Sequence, residues 1–99
     1  MTIDIKNMNK LNPKYQSILK LNEELNKRKI PHELSRLMDG WKIAYPNNME
    51  CIFDVIEHCG SYGREEDLME AYGDGIEDVE GFMDVQTALL HFERVHKRK

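Results

Sequence analysis

The sequence predicts a two-layer α+β domain: an N-terminal helix, a three-stranded antiparallel meander, a short helix and a C-terminal helix. Two observations lead to this fold class. Apolar residues recur at helical spacing near both ends of the 99-residue chain, and Asp39-Gly40 separates two short patterned segments in its middle. We expect residues 1–10 to form a flexible lead-in and residues 11–99 to form a single globular domain.

The first helix is predicted over residues 13–28. Asn12 can cap its start, and Pro13 suits the first helical position because proline has a preset φ and no amide to satisfy. Pro31 ends the helix. One helix face carries the apolar residues that follow at spacings of three and four: Leu11, Tyr15, Ile18, Leu21 and Leu25.

The meander is predicted around the Asp39-Gly40 pair. Asp-Gly favours a tight hairpin turn, because such turns need positive φ, so residues 33–38 and 41–45 are its two arms. A third strand is predicted over residues 49–58. Its apolar residues lie on both faces, which indicates that both sides are at least partly covered.

The C-terminal half is predicted to be helical at two places. Gly60-Ser61-Tyr62-Gly63 breaks the third strand, and residues 65–72 suit a short helix with Leu68, Met69 and Tyr72 inward. Residues 73–78 form an acidic loop. Asp84 then caps a last helix whose buried face is predicted to carry Val85, Ala88, Leu89, Phe92 and Val95.

Charge is divided into three blocks along the chain. Residues 1–46 have a net charge of +4, residues 47–87 of −11 and residues 88–99 of +3. The acidic block can attract a basic binding partner. The alternative is that its charge only keeps the domain soluble. The apolar residues between the carboxylates are expected to pack inward: Leu68, Met69, Ile76, Val79 and Phe82. The predicted partner-binding residues are the carboxylates Glu65, Glu66, Asp67, Glu70, Asp74, Glu77, Asp78 and Glu80.

No complete catalytic, metal or cofactor site is predicted. Cys51, His58 and Cys59 lack the paired spacing of zinc ligands, and adjacent residues of a strand point to opposite faces. Cys59 with His58 and Ser61 has the residue types of a nucleophilic site, but nothing in the sequence specifies its geometry. The absence of an apolar signal core or spanning segment leads us to expect a cytoplasmic protein with reduced thiols.

Residues 41–95 resemble a group of short proteins of unknown function encoded by phages and prophages of Gram-positive bacteria. The motifs that carry the resemblance are Gly60-Ser61-Tyr62-Gly63 and Asp78-Val79-Glu80-Gly81-Phe82, after a strand that includes residues 54–58. The resemblance implies a phage origin and a host bacterial cytoplasm. It implies no catalytic residues.

The expected function is that of a phage-encoded, non-enzymatic factor that binds a basic, nucleic-acid-handling host protein, as an anti-CRISPR inhibitor does. One alternative is a nucleic-acid-binding module that uses the C-terminal tail with Lys14, Lys20, Lys27 and Arg28. The helix–meander–helix order resembles double-stranded RNA-binding domains, but the acidic start of the last helix disfavours phosphate contact. A second alternative is a small enzyme around Cys59 and His58.

Overall fold

The computed structural model describes residues 15–61, 64–74, 76 and 78–97. The predicted lead-in at residues 1–10 and the helix start at Asn12-Pro13 lie outside these ranges. A 3₁₀ turn covers Arg64–Glu66. The other elements are α1 (Gln16–Lys27), β1 (Glu33–Leu37), β2 (Gly40–Tyr45), β3 (Phe53–Glu57), β4 (Met69–Gly73), β5 (Glu80–Met83) and α2 (Val85–Lys97).

The five strands form one antiparallel sheet in the order β1-β2-β3-β4-β5. The α+β class and the two layers agree with the sequence prediction, but the prediction of three strands is wrong. Both helices pack on one face of the sheet and against each other. They run in the same direction, because the starts of α1 and α2 line one groove and Arg28 reaches Glu93 of α2 at 3.5 Å. No helix within the described ranges has the length and apolar character needed to cross a membrane.

Helix α1 forms as its apolar spacing predicts and buries Ile18, Leu21 and Leu25 completely. Its C-terminus is closed by the chain itself. Lys29 has a φ of 57° and donates to Asn26 O at 3.1 Å, while Ile30 donates to Leu25 O at 3.1 Å. This pair of bonds is a Schellman motif, which satisfies carbonyls that the helix leaves open. The helix therefore ends before Pro31, close to the predicted boundary.

The hairpin at Asp39-Gly40 is present, but its turn lies one residue earlier than predicted. Leu37 pairs with Gly40, so Met38 and Asp39 form the loop, and Met38 has the positive φ of 55°. Gly40 is needed for a different reason. A Cβ at this position would collide with the carbonyl oxygen of Glu57, because β2 and the end of β3 approach closely there.

The predicted helix over residues 65–72 is wrong: the chain forms the 3₁₀ turn and then strand β4. Met69 and Ala71 are buried, whereas Tyr72 is 56% exposed. This two-residue alternation belongs to a strand, and it lets β4 pair with β3 through Val55 and Ala71. Backbone bonds to β3 therefore decided the structure of a segment whose apolar positions also fitted a helix.

Strand β5 occupies a segment that the sequence prediction left without regular structure. Met83 is buried and pairs with Met69, while one extra residue between Glu80 and Met83 makes a β-bulge. Phe82 has a φ of 53° and is 61% exposed. The expectation that Phe82 and Val79 anchor this segment to the core is therefore wrong, because both side chains are exposed at the sheet edge.

The core lies between the sheet and the two helices. Phe53 and Val55 are buried, and so are Leu89 and Phe92 on the predicted buried face of α2. The rings of Phe53 and Phe92 meet edge to face at a centroid distance of 5.1 Å. Trp41 is half-buried against this core, and the guanidinium of Arg36 lies 4.4 Å from its ring centroid.

The third strand is shorter than predicted, since β3 covers Phe53–Glu57 instead of residues 49–58. Its helix-facing residues are buried, and they include the carboxyl side chain of Glu57. On the other face Ile56 is half-buried and Ile52, just before the strand, is 43% exposed. Two-sided coverage of this strand is therefore only partial.

Substituting Gly40 by alanine is expected to destabilise the fold by about 1–3 kcal/mol, because the new methyl group meets the backbone of β3. Gly60→Ala is the matched control. Its Cβ would meet only side-chain atoms of His58, the nearest at 3.0 Å. Chemical denaturation of the two variants should separate them, and equal small losses would contradict the close approach at Gly40.

Phe92→Ala should lower the free energy of unfolding by roughly 3–5 kcal/mol, because it empties the centre of the aromatic cluster. Leu90→Ala, on the exposed side of the same helix, should cost far less. A loss below about 1 kcal/mol for Phe92→Ala in urea denaturation would show that the buried face of α2 is misassigned.

Candidate functional site

The N-terminus of α1 is capped by two carboxyl groups from distant parts of the chain. Tyr15 occupies the N-cap position but makes no side-chain capping bond. The amide of Ser17 instead donates to Asp67 Oδ1 at 3.1 Å, and the amide of Ile18 donates to Glu57 Oε1 at 3.2 Å. Open amides and the helix dipole both favour acidic groups at this end. The cap thus joins α1 to β3 and to the turn before β4.

Glu57 is fully buried, and its environment favours the neutral acid. Burial is the largest effect that raises the pKa of Glu57 to about 9, followed by the hydrogen bond with Asp67 and the charge of Asp67. No donor among the described residues reaches Glu57 Oε2. Two ionised carboxylates are both acceptors, so the two side chains can share a hydrogen bond only when one of them carries a proton, and the raised pKa assigns that proton to Glu57. At neutral pH Glu57 is therefore the neutral acid.

Asp67 was predicted to be part of the partner-binding surface, but it faces the start of α1. Besides its carboxylate bond to Ser17 N, its backbone oxygen accepts a hydrogen bond from Ser17 Oγ at 2.5 Å. Its φ of 57° is unusual for a residue with a Cβ. These contacts give Asp67 a structural role at the junction of α1 and β4.

A second polar network lies beside this cap. The hydroxyl of Tyr15 donates to Asp39 Oδ2 at 2.6 Å, and the amide of Cys59 donates to Asp39 Oδ1 at 2.8 Å. Burial and then the bond to Asp39 raise the pKa of Tyr15 to about 12. The Tyr15 bond also holds the pKa of Asp39 below its usual range. The β1–β2 loop is thereby tied to the helix start.

The residues of the suggested nucleophilic site lie together in the turn after β3, where their polar groups bind the backbone. His58 Nδ1 accepts from the amide of Gly60 at 2.8 Å. The buried Ser61 hydroxyl donates to the carbonyl of His58 at 2.9 Å and accepts from the His58 amide at 3.1 Å. Cys59 is exposed, and both Cys59 and Cys51 are free thiols. The contacts of His58 and Ser61 hold the shape of this turn, and the side chain that hydrogen-bonds with the Cys59 thiol is the Asp39 carboxylate and not His58.

The remaining predicted carboxylates are divided between the two ends of β4. Glu65 and Glu66 are exposed in the 3₁₀ turn before the strand, and Asp78 and Glu80 are exposed after it. A five-residue strand spans about 17 Å, so the two groups are separate surfaces. Glu77 lies outside the described residues.

Basic side chains of helix α2 partly neutralise the carboxylates that follow β4. Arg94 Nη1 lies 4.0 Å from Asp74 Oδ2, and Arg94 Nη2 donates to the Asp74 carbonyl at 2.9 Å. His91 Nε2 lies 3.7 Å from Glu80 Oε2. His91 is itself held by stacking on Phe53, with ring centroids 5.6 Å apart. Asp74 and Glu80 thus help attach the β4–β5 hairpin to the helix layer.

Glu70 lies on the outer face of the sheet, opposite the helices, with Asp54 and Tyr72. Tyr72 pairs with Asp54, and Glu70 pairs with the outward residue Ile56. The pKa of Asp54 is raised, chiefly by burial and further by the charge of Glu70. The charge of Lys42 acts in the opposite direction and lowers it. The sequence prediction missed this cluster because it placed Tyr72 inward on a helix. The alternation of Met69 and Ala71 with Glu70 and Tyr72 was the signal that could have revealed it.

The basic face predicted for α1 is interrupted by Glu24. Its carboxylate lies 2.6 Å from Arg28 Nη1, 3.4 Å from Lys27 Nζ and 3.7 Å from Lys20 Nζ. The hydrogen bond from Arg28 is the main cause that holds the pKa of Glu24 below its usual range. Lys14 and the last two basic residues lie outside the described ranges. Within those ranges, no group of three His, Cys, Asp or Glu side chains could hold a metal ion.

No protein-family model, curated protein or solved structure matches the chain. Its function is therefore inferred from the placement of the described residues.

The Glu57–Asp67 pair predicts a specific pH dependence of stability. Glu57 titrates near 4.5 when unfolded and near 9 when folded, so the folded state holds a proton that the unfolded chain releases between these values. The contribution is fully present below about pH 4.5 and is lost as the pH rises to 9, with a slope on the order of 1 kcal/mol per pH unit. Glu57→Gln keeps the acceptor for Ile18 and supplies a permanent donor to Asp67.

Wild type should therefore lose stability between pH 5 and pH 9, and Glu57→Gln should not lose this contribution. The difference in free energy of unfolding, variant minus wild type, should increase with pH in denaturant unfolding at each pH. Glu57→Ala, which leaves a cavity and an uncapped amide, should be less stable than both at every pH. Parallel curves for wild type and Glu57→Gln would show that Glu57 does not carry the proton.

Proposed function

We propose that the protein is a non-enzymatic binding factor that engages a basic, nucleic-acid-handling protein through carboxylates of the segment 64–82. The observation that supports the proposal is the exposure of four carboxylates at the two ends of β4, in the turn before it, in the loop before β5 and in β5: Glu65, Glu66, Asp78 and Glu80. Their charges keep fixed positions on turns and an edge strand. Fixed charges of one sign attract an oppositely charged surface and accelerate its association.

The partner's basic character follows from charge complementarity. Proteins that handle nucleic acid bind phosphates with lysine and arginine, and those contacts supply much of their affinity. The two acidic groups at the ends of β4 can occupy the same groove and exclude the nucleic acid. The resemblance to phage-encoded proteins extends the proposal to a counter-defence inhibitor of the anti-CRISPR type that acts in the cytoplasm of the host cell.

The test compares two double variants with the same change in net charge. Glu66→Lys with Asp78→Lys reverses one exposed carboxylate at each end of β4, and Glu23→Lys with Glu50→Lys reverses two exposed carboxylates elsewhere. Only the first variant should lose the partner in a pull-down from the host, and its association rate should fall most at low salt. Circular dichroism should show that both variants remain folded.

If both variants bind the partner equally well, the acidic segment only solubilises the domain. Equal losses in the two variants would show that overall charge, and not this segment, attracts the partner. Loss of binding on reversal of Lys20 and Lys27 instead would favour the alternative in which the basic helix is the contact surface.

A further inference from the structure

The outer face of the sheet carries a cluster in which an exposed aromatic ring lies between acidic and apolar side chains. The cluster is defined here as the sheet-face patch: Ile52, Asp54, Ile56, Glu70 and Tyr72. The register places Tyr72 directly opposite Asp54 and Ile56 directly opposite Glu70. Directly opposite residues have Cβ atoms about 5 Å apart, and diagonal neighbours such as Asp54 and Glu70 remain within reach of a long side chain.

The exposure of Tyr72 is unusual for a large aromatic residue in the middle of a strand. Its side chain is 56% exposed, and Ile52 beside it is 43% exposed. Val79, just before the edge strand β5, and Phe82, within it, are also exposed, at 41% and 61%. Neither helix covers this face, because both pack on the other side of the sheet. Exposed apolar side chains next to charged groups are typical of interaction sites.

Asp54, the central carboxylate of the patch, lies in an environment that disfavours its charge. Asp54 is half-buried, and burial followed by the charge of Glu70 opposes its ionisation, while Lys42 favours it. One Asp54 oxygen, Oδ2, also has a contact of 3.7 Å with the thiol of Cys51. A second cation beside Asp54 and Glu70 would therefore be favourable, and the ring of Tyr72 offers that cation a flat surface.

We propose that Tyr72, Asp54 and Glu70 form a receptor site for an arginine side chain of the protein partner. The inference rests on the proposed function, since it assumes a basic protein partner, and it adds which basic group is recognised and where. A guanidinium can stack on the ring of Tyr72 while its N–H groups donate to the carboxylates on either side. A lysine ammonium is a hydrated point charge that cannot form this planar arrangement.

The same sheet already contains an arginine stacked on an aromatic ring. Arg36 in β1 lies over Trp41 in β2, with 4.4 Å between the guanidinium carbon and the ring centroid. The two residues are direct partners across the strands, as Tyr72 and Asp54 are. At Tyr72 the directly opposite position holds the Asp54 carboxylate, so a guanidinium from the partner would complete the same stacked arrangement there. A second copy of the chain would place its own acidic patch here, which like-charge repulsion disfavours.

The experiment uses two peptides of equal length and charge, octa-arginine and octa-lysine, titrated onto the ¹⁵N-labelled protein. Octa-arginine should bind at least about fivefold more tightly, as expected for one exposed cation–π contact with paired hydrogen bonds. Its chemical-shift changes should centre on residues 52–56 and 70–72. Calorimetric titration gives the two dissociation constants independently.

Two pairs of variants separate the arginine site from general charge. Tyr72→Phe keeps the ring and should keep the preference for arginine, whereas Tyr72→Leu should remove it while leaving octa-lysine binding unchanged. Asp54→Asn should also reduce the preference, whereas Glu50→Gln, which removes the same charge from an exposed loop, should not. Melting temperatures of all four variants show whether each remains folded.

Equal affinity for the two peptides, or a preference that survives in Tyr72→Leu, overturns the arginine site. In that case, if both peptides bind the Glu66→Lys, Asp78→Lys variant more weakly, the proposed acidic partner surface is supported although the arginine site is not. Failure of both peptides to bind the wild-type protein contradicts the arginine site and the acidic surface together.

Discussion

The carboxyl cap on α1 is the interaction on which the arrangement of the two layers depends. The N-cap residue of helix α1 makes no side-chain capping bond. Glu57 from β3 and Asp67 from the turn before β4 instead accept hydrogen bonds from the first amides of the helix. The cap works because burial keeps a proton on Glu57, which turns two like-charged groups into a donor and an acceptor. The packing of α1 on β3 and the path of the chain into β4 are thereby fixed at one point.

This arrangement divides an acidic stretch that is continuous in sequence into groups with different roles. Asp67 caps a helix, Asp74 and Glu80 face Arg94 and His91 of α2, and Glu70 lies on the outer sheet face. The exposed carboxylates at the two ends of β4 remain as the long-range negative field. A run of charges in a sequence therefore does not correspond to one surface unless the secondary structure places it on one face.

The parts of the fold that depend on local sequence were predictable, and those that depend on distant pairing were not. The spacing of Ile18, Leu21 and Leu25 and the Asp39-Gly40 pair located α1 and the hairpin. Strand β4 was missed because Leu68, Met69 and Tyr72 also fit a helix, and only pairing with β3 decides between the two. Glu57 continues the alternation of Phe53 and Val55, so its inward position was visible in the sequence. Its proton partner was not, since Asp67 reaches it only through the fold.

The distribution of carboxylates also bears on whether the acidic charge serves more than solubility. A solubilising charge is most effective on exposed positions, which Glu65, Glu66, Asp78 and Glu80 already provide. Asp54 and Glu70 are half-buried diagonal neighbours on one sheet face, where like charges oppose each other and lower stability. Beside them Tyr72 exposes an aromatic ring that reduces solubility. Lys42 offsets part of the repulsion that Glu70 exerts on Asp54. A planar cation from the proposed partner, stacked on the exposed ring, would offset it further.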